Sequence, residues 1–321
     1  MKFCKSYENY MKQLGKTLPV IGYRRLKKHI SQCKSRIQSK NDAVFPVDCA
    51  VCDEIFFPSL FDEMSAVVDD FGKEAQKLLD ASFSCPWRIW KYSCFDCLGN
   101  GLKDHNDFLI KESEDLLIYA IVNAIAFRKI LKKYDKVHKC EKGRAFKSGA
   151  QVKHIEILQS PWFYELMSFQ INLRGKSKAS NGDAALFGGL ALMFNGENHS
   201  ISCGLFDSFK VDVNLICPIC LDIVFDAVAL RCGHILCYMC ACSTASVTIV
   251  DGLKTAAPRK RCPLCRESRV YGDAIRLEEL NFLLSKRCPE YWEKRRESER
   301  EERLRLVKEH WQSQVHGLMT A

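Results

Sequence analysis

Apolar residues recur at three- and four-residue intervals in two N-terminal stretches of this chain, a period that sets them on one face of a helix. The longer, Asp115 to Lys136, reads DLLIYAIVNAIAFRKILKKYDK. At about 100° per residue, Leu116, Ala120, Phe127, Leu131 and Tyr134 fall in a stripe about 60° wide, and Lys129, Lys132, Lys133 and Lys136 share an arc of about 100° opposite it. The shorter, Gly22 to Lys34, reads GYRRLKKHISQCK and sets Tyr23 and Lys27 one turn apart, beside Lys28. Phe56 and Phe57 suggest another helix approaching the core. From Ile201 to Leu215 the pattern changes to alternation (Leu205, Phe209, Val211, Val213, Leu215), which predicts one strand. Before it, from Arg174 to His199, GKSKASNGD and FNGEN flank the apolar LFGGLALMF and predict a mobile connection. Beyond Arg266 the chain reads as helical and charged. Leu277, Leu280, Phe282, Leu283 and Leu284 come first, then EKRRESEREERLRLVKEHW, where Leu304, Val307 and Trp311 form a thin apolar edge.

At 321 residues and 47% hydrophobic, the chain has room for one sizeable core and a smaller module. The formal charge of +9 is modest for that length, so its placement says more than its sum. Like charges one turn apart cost a few tenths of a kcal/mol each. A solvated outer face is the ordinary explanation of lysines on a helix. Here two segments repeat the arrangement and Lys2 opens a third amphipathic stretch, which favours an anion site. The longest apolar runs, around Leu116 to Phe127 and Ala184 to Phe194, fall short of the roughly 20 residues a membrane helix needs. No signal peptide is expected, and a reducing compartment follows, where cysteine-rich patterns mean metal.

Such a pattern is present: Cys217-x2-Cys220-x11-Cys232-x-His234-x2-Cys237-x2-Cys240-x21-Cys262-x2-Cys265. Zinc takes four sulfur or imidazole ligands, and two residues separated by two others on a tight knuckle bind one ion while backbone N–H groups support the thiolates. Four close pairs make two sites. With 18 cysteines in 321 residues, seven prespecified positions are all Cys by chance with probability on the order of 10⁻⁹. Cys242 is left over and reads as a bystander thiol. Cys49-x2-Cys52 and Cys94-x2-Cys97 could meet as a third site, but lack knuckle glycines and read as thiols of the N-terminal core.

Residues 217 to 266 resemble a RING finger. The resemblance implies that Cys217, Cys220, Cys237 and Cys240 hold one Zn2+, and Cys232, His234, Cys262 and Cys265 the other. Both sets are full, so neither ion keeps a position for water or substrate, and the metals read as structural. Their binding supplies the folding free energy that a stretch of about 50 residues with few apolar anchors lacks, roughly 10–16 kcal/mol per ion in finger peptides. RING fingers present a surface to a ubiquitin-conjugating enzyme, and Ile219 and Pro263 match the apolar contact positions. Arg266 matches the linchpin, whose guanidinium bridges the conjugating enzyme and ubiquitin. Ile219 as a core residue and Arg266 as a solvated charge are the competing readings.

The start MKFCKSYENYM, the segment LPVIGYRRLKKHI and the helix FRKILKKYDK together resemble an SPX domain over about residues 1 to 170. The resemblance implies a helical bundle around two long antiparallel helices. It also implies an inositol polyphosphate or pyrophosphate ligand held by Lys2, Tyr23, Lys27, Lys28, Lys129, Lys132, Lys133 and Lys136. Cys4 stands where many SPX domains carry Gly, and the plant SPX-RING ligases, similar to nitrogen-limitation-adaptation proteins, also begin MKFC.

The expected architecture is multidomain: an all-α SPX bundle (1–170), a linker with a strand (171–214), a small α+β zinc-stabilised RING finger (215–268) and a charged C-terminal helical extension (269–321). The function implied is a RING-type ubiquitin ligase regulated through its SPX domain. Its expected partners are a conjugating enzyme, ubiquitin and a substrate protein, with phosphate transporters the substrate of the family. The location implied is cytoplasmic, at the membrane's cytosolic face without a span, with a nuclear pool left open. A homodimer through the flanking helix is an open reading. The alternative function is a non-catalytic phosphate-sensing adaptor with a docking finger. Nucleic-acid binding is disfavoured, because Arg259, Lys260 and Arg261 have no interleaved aromatics for base stacking.

Overall fold

One long helix organises the N-terminal half. The computed structural model describes residues 3–13, 18–39, 50–83, 100–150, 152–174, 191–205 and 209–319; Lys2, Cys49, Cys94 and Cys97 lie outside them, and the side chain of Cys52 is likewise undescribed. The chain divides into two compact units, the first reaching Phe163 and the second taking most of the chain from Tyr164 on.

In the first unit, α1 (Phe3–Gln13), α2 (Tyr23–Ser39) and α3 (Ala50–Phe83) pack around α4 (Asn100–His138). Phe56, Leu60, Met64, Val67, Phe71, Ala75 and Leu79 recur at three- and four-residue steps on α3 and are buried, the seam that two long packed helices need. Phe56, near the start of α3, stacks on Tyr134, near the end of α4, at 4.6 Å, so the two run antiparallel. The stripe expected on α4 is buried, but every side chain from Leu116 to Ala124 is buried as well. Neighbours surround the middle of α4; Asp107 and Lys111 are exposed toward its start, and its polar face opens again at Lys129, Lys132 and Lys136 near its C-terminus. There Asp135 accepts hydrogen bonds from the backbone N–H of Gly143 (2.6 Å) and Arg144 (2.9 Å), capping α5 (Lys142–Ser148) in place of Glu141, whose side chain makes no capping bond. Asn123, fully buried, ties the unit together. Its Oδ1 accepts from the Tyr7 hydroxyl at 2.8 Å and from Ile21 N–H at 3.4 Å, while its Nδ2 donates to the Tyr119 carbonyl at 2.9 Å.

The second unit takes in α6 (Pro161–Arg174) from Tyr164 onward. Of the stretch expected to be a mobile connection, 175–190 lies outside the described residues; its later part carries β1 (Ala191–Asn195), paired antiparallel with β2 (Ser200–Leu205) so that Asn195 faces Ser200. Asn195 Oδ1 accepts from the backbone N–H of Glu197 (3.0 Å) and Asn198 (3.3 Å), an Asx turn that makes FNGEN a hairpin tip. The single strand expected from Ile201 to Leu215 is two, β2 and β3 (Phe209–Asn214), in the sheet order β1-β2-β3. A smaller sheet, ordered β5-β4-β6, joins β4 (Ala227–Ala229), β5 (Ile235–Cys237) and β6 (Ile275–Arg276). Around it lie α7 (Tyr238–Ala245), α8 (Glu278–Arg287) and α9 (Pro289–Met319).

The thin apolar edge of α9 does not seat the helix, since Leu304 and Trp311 are exposed. Aromatic and charged residues dock the helix instead. Trp292 packs on Phe225 at 4.5 Å, and the Tyr291 hydroxyl donates to the Ile223 carbonyl at 2.7 Å. Asp226 accepts from Arg303 at 2.6 Å and from Arg276 at 2.7 Å. Burial pushes the Asp226 carboxyl up, but the two guanidinium groups outweigh it and hold the group below its usual range.

Asn123→Ala strands the Ile21 N–H in a dry core, takes from the Tyr7 hydroxyl its acceptor at 2.8 Å, and costs the first unit about 2–3 kcal/mol. Amide exchange along α4 is expected to accelerate roughly 30- to 150-fold, with the β4 and β5 amides unchanged as the control.

Candidate functional site

The ligand residues gather into two clusters: Cys217, Cys220, Cys237 and Cys240 in one, Cys232, His234, Cys262 and Cys265 in the other, with ligand atoms within 4.8 Å of one another in each. Zinc bound by sulfur at about 2.3 Å and nitrogen at about 2.05 Å in a tetrahedron sets sulfurs about 3.8 Å apart and sulfur and nitrogen about 3.5 Å apart. Cys220 Sγ and Cys237 Sγ are 3.7 Å apart. His234 presents Nδ1, at 3.4 Å from the Cys232 sulfur and 3.5 Å from that of Cys262. The donor atoms therefore fit two structural zinc ions.

Two matching turns build the sites. In the first, Cys217 N–H donates to the Asp222 carbonyl (2.7 Å) and Leu221 N–H to that of Cys217 (2.9 Å); in the second, Cys262 N–H donates to Glu267 (2.8 Å) and Arg266 N–H to Cys262 (3.0 Å). The residue after the second cysteine of each is left-handed, Leu221 at φ 60° and Arg266 at φ 61°. The remaining ligands lie on the segment from Cys232 to Cys240, where Gly233 takes φ 83° between two of them. Phe225 N–H donates to Cys237 Sγ at 3.3 Å, supporting a ligand from outside the cluster.

The crowded thiols polarise one another. Cys237 and Cys240 donate to the Cys217 sulfur and hold it well below the usual thiol range, and the same contact drives Cys237 up. In the other cluster Cys232 donates to the Cys262 sulfur, drawing it down to about 3. In each cluster one sulfur is thus favoured to lose its proton while its neighbours are pushed up.

The outward face of the two turns is apolar with one cation. Ile219 is 40% exposed, and Pro263 and Arg266 are exposed. Ile219 is thus not a core residue. Sequence reasoning passed over Leu264, 49% exposed in the position equivalent to Ile219, and Leu221, at 77% the most exposed large apolar side chain among the described residues. The repeat Cys-Pro-Ile-Cys-Leu and Cys-Pro-Leu-Cys-Arg was the signal that could have found both. Cys242 is buried beside the Tyr238 hydroxyl, outside both clusters.

Of the lysines expected to hold an anion, Lys27 and Lys28 fall on α2 and Lys129, Lys132, Lys133 and Lys136 on α4, helices that pack against each other. Lys28, Lys129, Lys132 and Lys136 are exposed, Lys27 and Lys133 half-buried, and Tyr23 buried with its ring 6.3 Å from that of Tyr7.

Cys232→Ala is expected to lower the zinc content from two ions to one per chain in native mass spectrometry. Cys242→Ser, a change of similar size ten residues on, is expected to retain both.

Comparison with known proteins places these geometries. Residues 217–265 match the family model of the C3HC4-type zinc finger, the RING finger. The chain is 53% identical over 324 residues to "Probable E3 ubiquitin-protein ligase BAH1-like 1" of Oryza sativa subsp. indica and 49% identical over 336 residues to "E3 ubiquitin-protein ligase NLA" of Arabidopsis thaliana, in each case across 99% of both chains. A third relative, "Probable E3 ubiquitin-protein ligase BAH1-like" of Arabidopsis thaliana, is 34% identical over 339 residues, again across 99% of both. With two four-ligand clusters spaced for zinc and full-length relatives of this kind, the chain belongs to the plant BAH1-like and NLA family of RING-type E3 ubiquitin ligases.

Proposed function

We propose that this ligase reads an inositol polyphosphate or pyrophosphate through an N-terminal SPX domain and directs ubiquitin to a phosphate transporter at the cytosolic face of a membrane. The observation that carries the reading is the presence of exposed lysines on two adjacent helices, α2 and α4. Flexible ammonium groups suit a ligand with many phosphates, each adding point charge without demanding one geometry. No described helix is long and apolar enough to cross a membrane, so a substrate there would be met by recruitment. The transporter itself rests on the SPX-RING resemblance.

The transfer step needs little of the protein beyond position. The ligand sets are complete with four protein donors each, so the ions serve to hold shape. Ile219 and Leu264 offer apolar contacts to the conjugating enzyme from the two turns. Arg266, on the outer face, donates to carbonyls of the enzyme and of ubiquitin and holds the thioester where a substrate amine attacks it. The amine displaces the conjugating enzyme's thiol from the ubiquitin carboxyl end, with no covalent bond to this chain.

Arg266→Ala exchanges one left-handed non-glycine residue for another and leaves the turn's strain unchanged. Single-turnover discharge of ubiquitin from the conjugating enzyme is expected to slow at least about tenfold, about 1.4 kcal/mol, with two zinc ions still bound; discharge at the wild-type rate would remove Arg266 from the mechanism. Replacing exposed Lys132 and Lys136 by Ala is expected to weaken calorimetric binding of inositol hexakisphosphate at least about tenfold at an unchanged melting temperature. Equal affinity would return those lysines to a merely solvated face.

A further inference from the structure

We infer that α6 is a working part of the RING half, and that Tyr164 and Glu165 are positioning residues for ubiquitin transfer. They grip, respectively, the loop that supplies half of the second metal site and the helix that braces the small sheet. The inference rests on the ligase activity and is independent of the anion-binding proposal.

Helix α8 begins without a cap of its own, because Leu277 has no side-chain acceptor. Glu165, 3% exposed, supplies one from another helix. Its carboxyl oxygens accept from the backbone N–H of Glu279 at 2.9 Å and of Leu280 at 3.2 Å. Two turns further along α6, Asn172 Nδ2 donates to the carbonyl of Glu279 at 3.0 Å and to its carboxyl at 2.9 Å. On the other side of Glu165, the Tyr164 hydroxyl donates to the Gly233 carbonyl at 3.2 Å. Gly233 lies between Cys232 and His234, two ligands of the second cluster.

The grip extends to the sheet. From α8, Asn281 Oδ1 accepts from Ala227 N–H at 2.7 Å, and Leu277 N–H donates to the Ala227 carbonyl at 2.9 Å. Ala227 in turn faces Cys237, a ligand of the first cluster, across β4 and β5. Cys262 and Cys265 share the second cluster with Cys232 and His234, so the turn presenting Pro263, Leu264 and Arg266 is held on the loop that Tyr164 fixes. A displacement of about 1 Å at a reacting group can cost about 100-fold in rate.

The test uses the full chain with zinc bound. Tyr164→Phe removes only a hydroxyl, Glu165→Ala removes both acceptors, and Glu165→Gln keeps the shape and one acceptor. Discharge of ubiquitin is expected to slow about tenfold in Glu165→Ala and several-fold in Tyr164→Phe, with two zinc ions retained, and Glu165→Gln is expected to recover to within about twofold of wild type. The separate readout is alkylation of individual cysteines followed by mass spectrometry. Cys232 and Cys262 are expected to react at least about fivefold faster in Tyr164→Phe while Cys217 and Cys220 keep their rates. Wild-type discharge and alkylation in both Tyr164→Phe and Glu165→Ala would overturn the inference. So would equal acceleration at both clusters with a lower melting temperature, which would make α6 general support; if Glu165→Ala does not fold, Tyr164→Phe decides by the same readouts.

Discussion

Four ligand atoms within 4.8 Å of one another are tolerable in a protein interior only if a cation shares them. Thiolates repel at that range, and neutral thiols hydrogen-bond too weakly to hold two turns and a loop in place. The features that could touch another protein hang from this constraint. Ile219 and Leu221 project from a turn closed by Cys217 and Cys220, and Leu264 and Arg266 from one closed by Cys262 and Cys265. Within the segment from Ile216 to Arg266, buried Val224, Leu230 and Leu236 form a small apolar core between the clusters, and coordination holds the two turns and the loop around it. Surface and metal are therefore one object: a change that loosens a ligand moves the exposed face of the two turns before it unfolds the chain.

What surrounds the clusters is fastened by polar contacts. Phe225 illustrates the economy of the arrangement: its N–H supports the Cys237 sulfur, its ring meets Trp292 of α9, and the next residue is the Asp226 that Arg276 and Arg303 hold. Asp226 itself takes a left-handed backbone, at φ 50°. A non-glycine residue pays for that conformation with about 1 kcal/mol, and two guanidinium partners outweigh it. The C-terminal helix is thus braced against the backbone segment that carries a metal ligand's hydrogen-bond donor, and its exposed Leu304 and Trp311 contribute nothing to that bracing.

The parts of this molecule legible in the sequence are those whose determinants are close together in the chain. Eight ligands at fixed spacing show themselves, because a knuckle is a local structure. The buried stripe on α4 shows itself too, because helical period is local. What stayed hidden depended on distant partners. Leu116 to Ala124 are buried on every side because other helices surround them, a fact that no wheel of α4 contains. FNGEN has the composition of a flexible connection, and becomes a hairpin tip because β1 finds β2. The capping of α8 by Glu165 spans more than a hundred residues; in the sequence, Glu165 is one glutamate in an apolar helix and Leu277 one leucine among several.

The two turns make a last point about sequence and function. Their backbones agree in hydrogen bonding and in the left-handed residue that closes them, so coordination fixes where a side chain stands without fixing which one stands there. A glycine would suit φ near 60° better than either occupant. Leu221 is in addition the most exposed large apolar side chain among the described residues, so neither backbone preference nor burial explains it. Arg266 makes the same departure from local preference with a cation. A matched pair of backbone positions, each filled against its own conformational preference and by opposite chemistries, is the pattern that the proposed contact with a conjugating enzyme on this face would select.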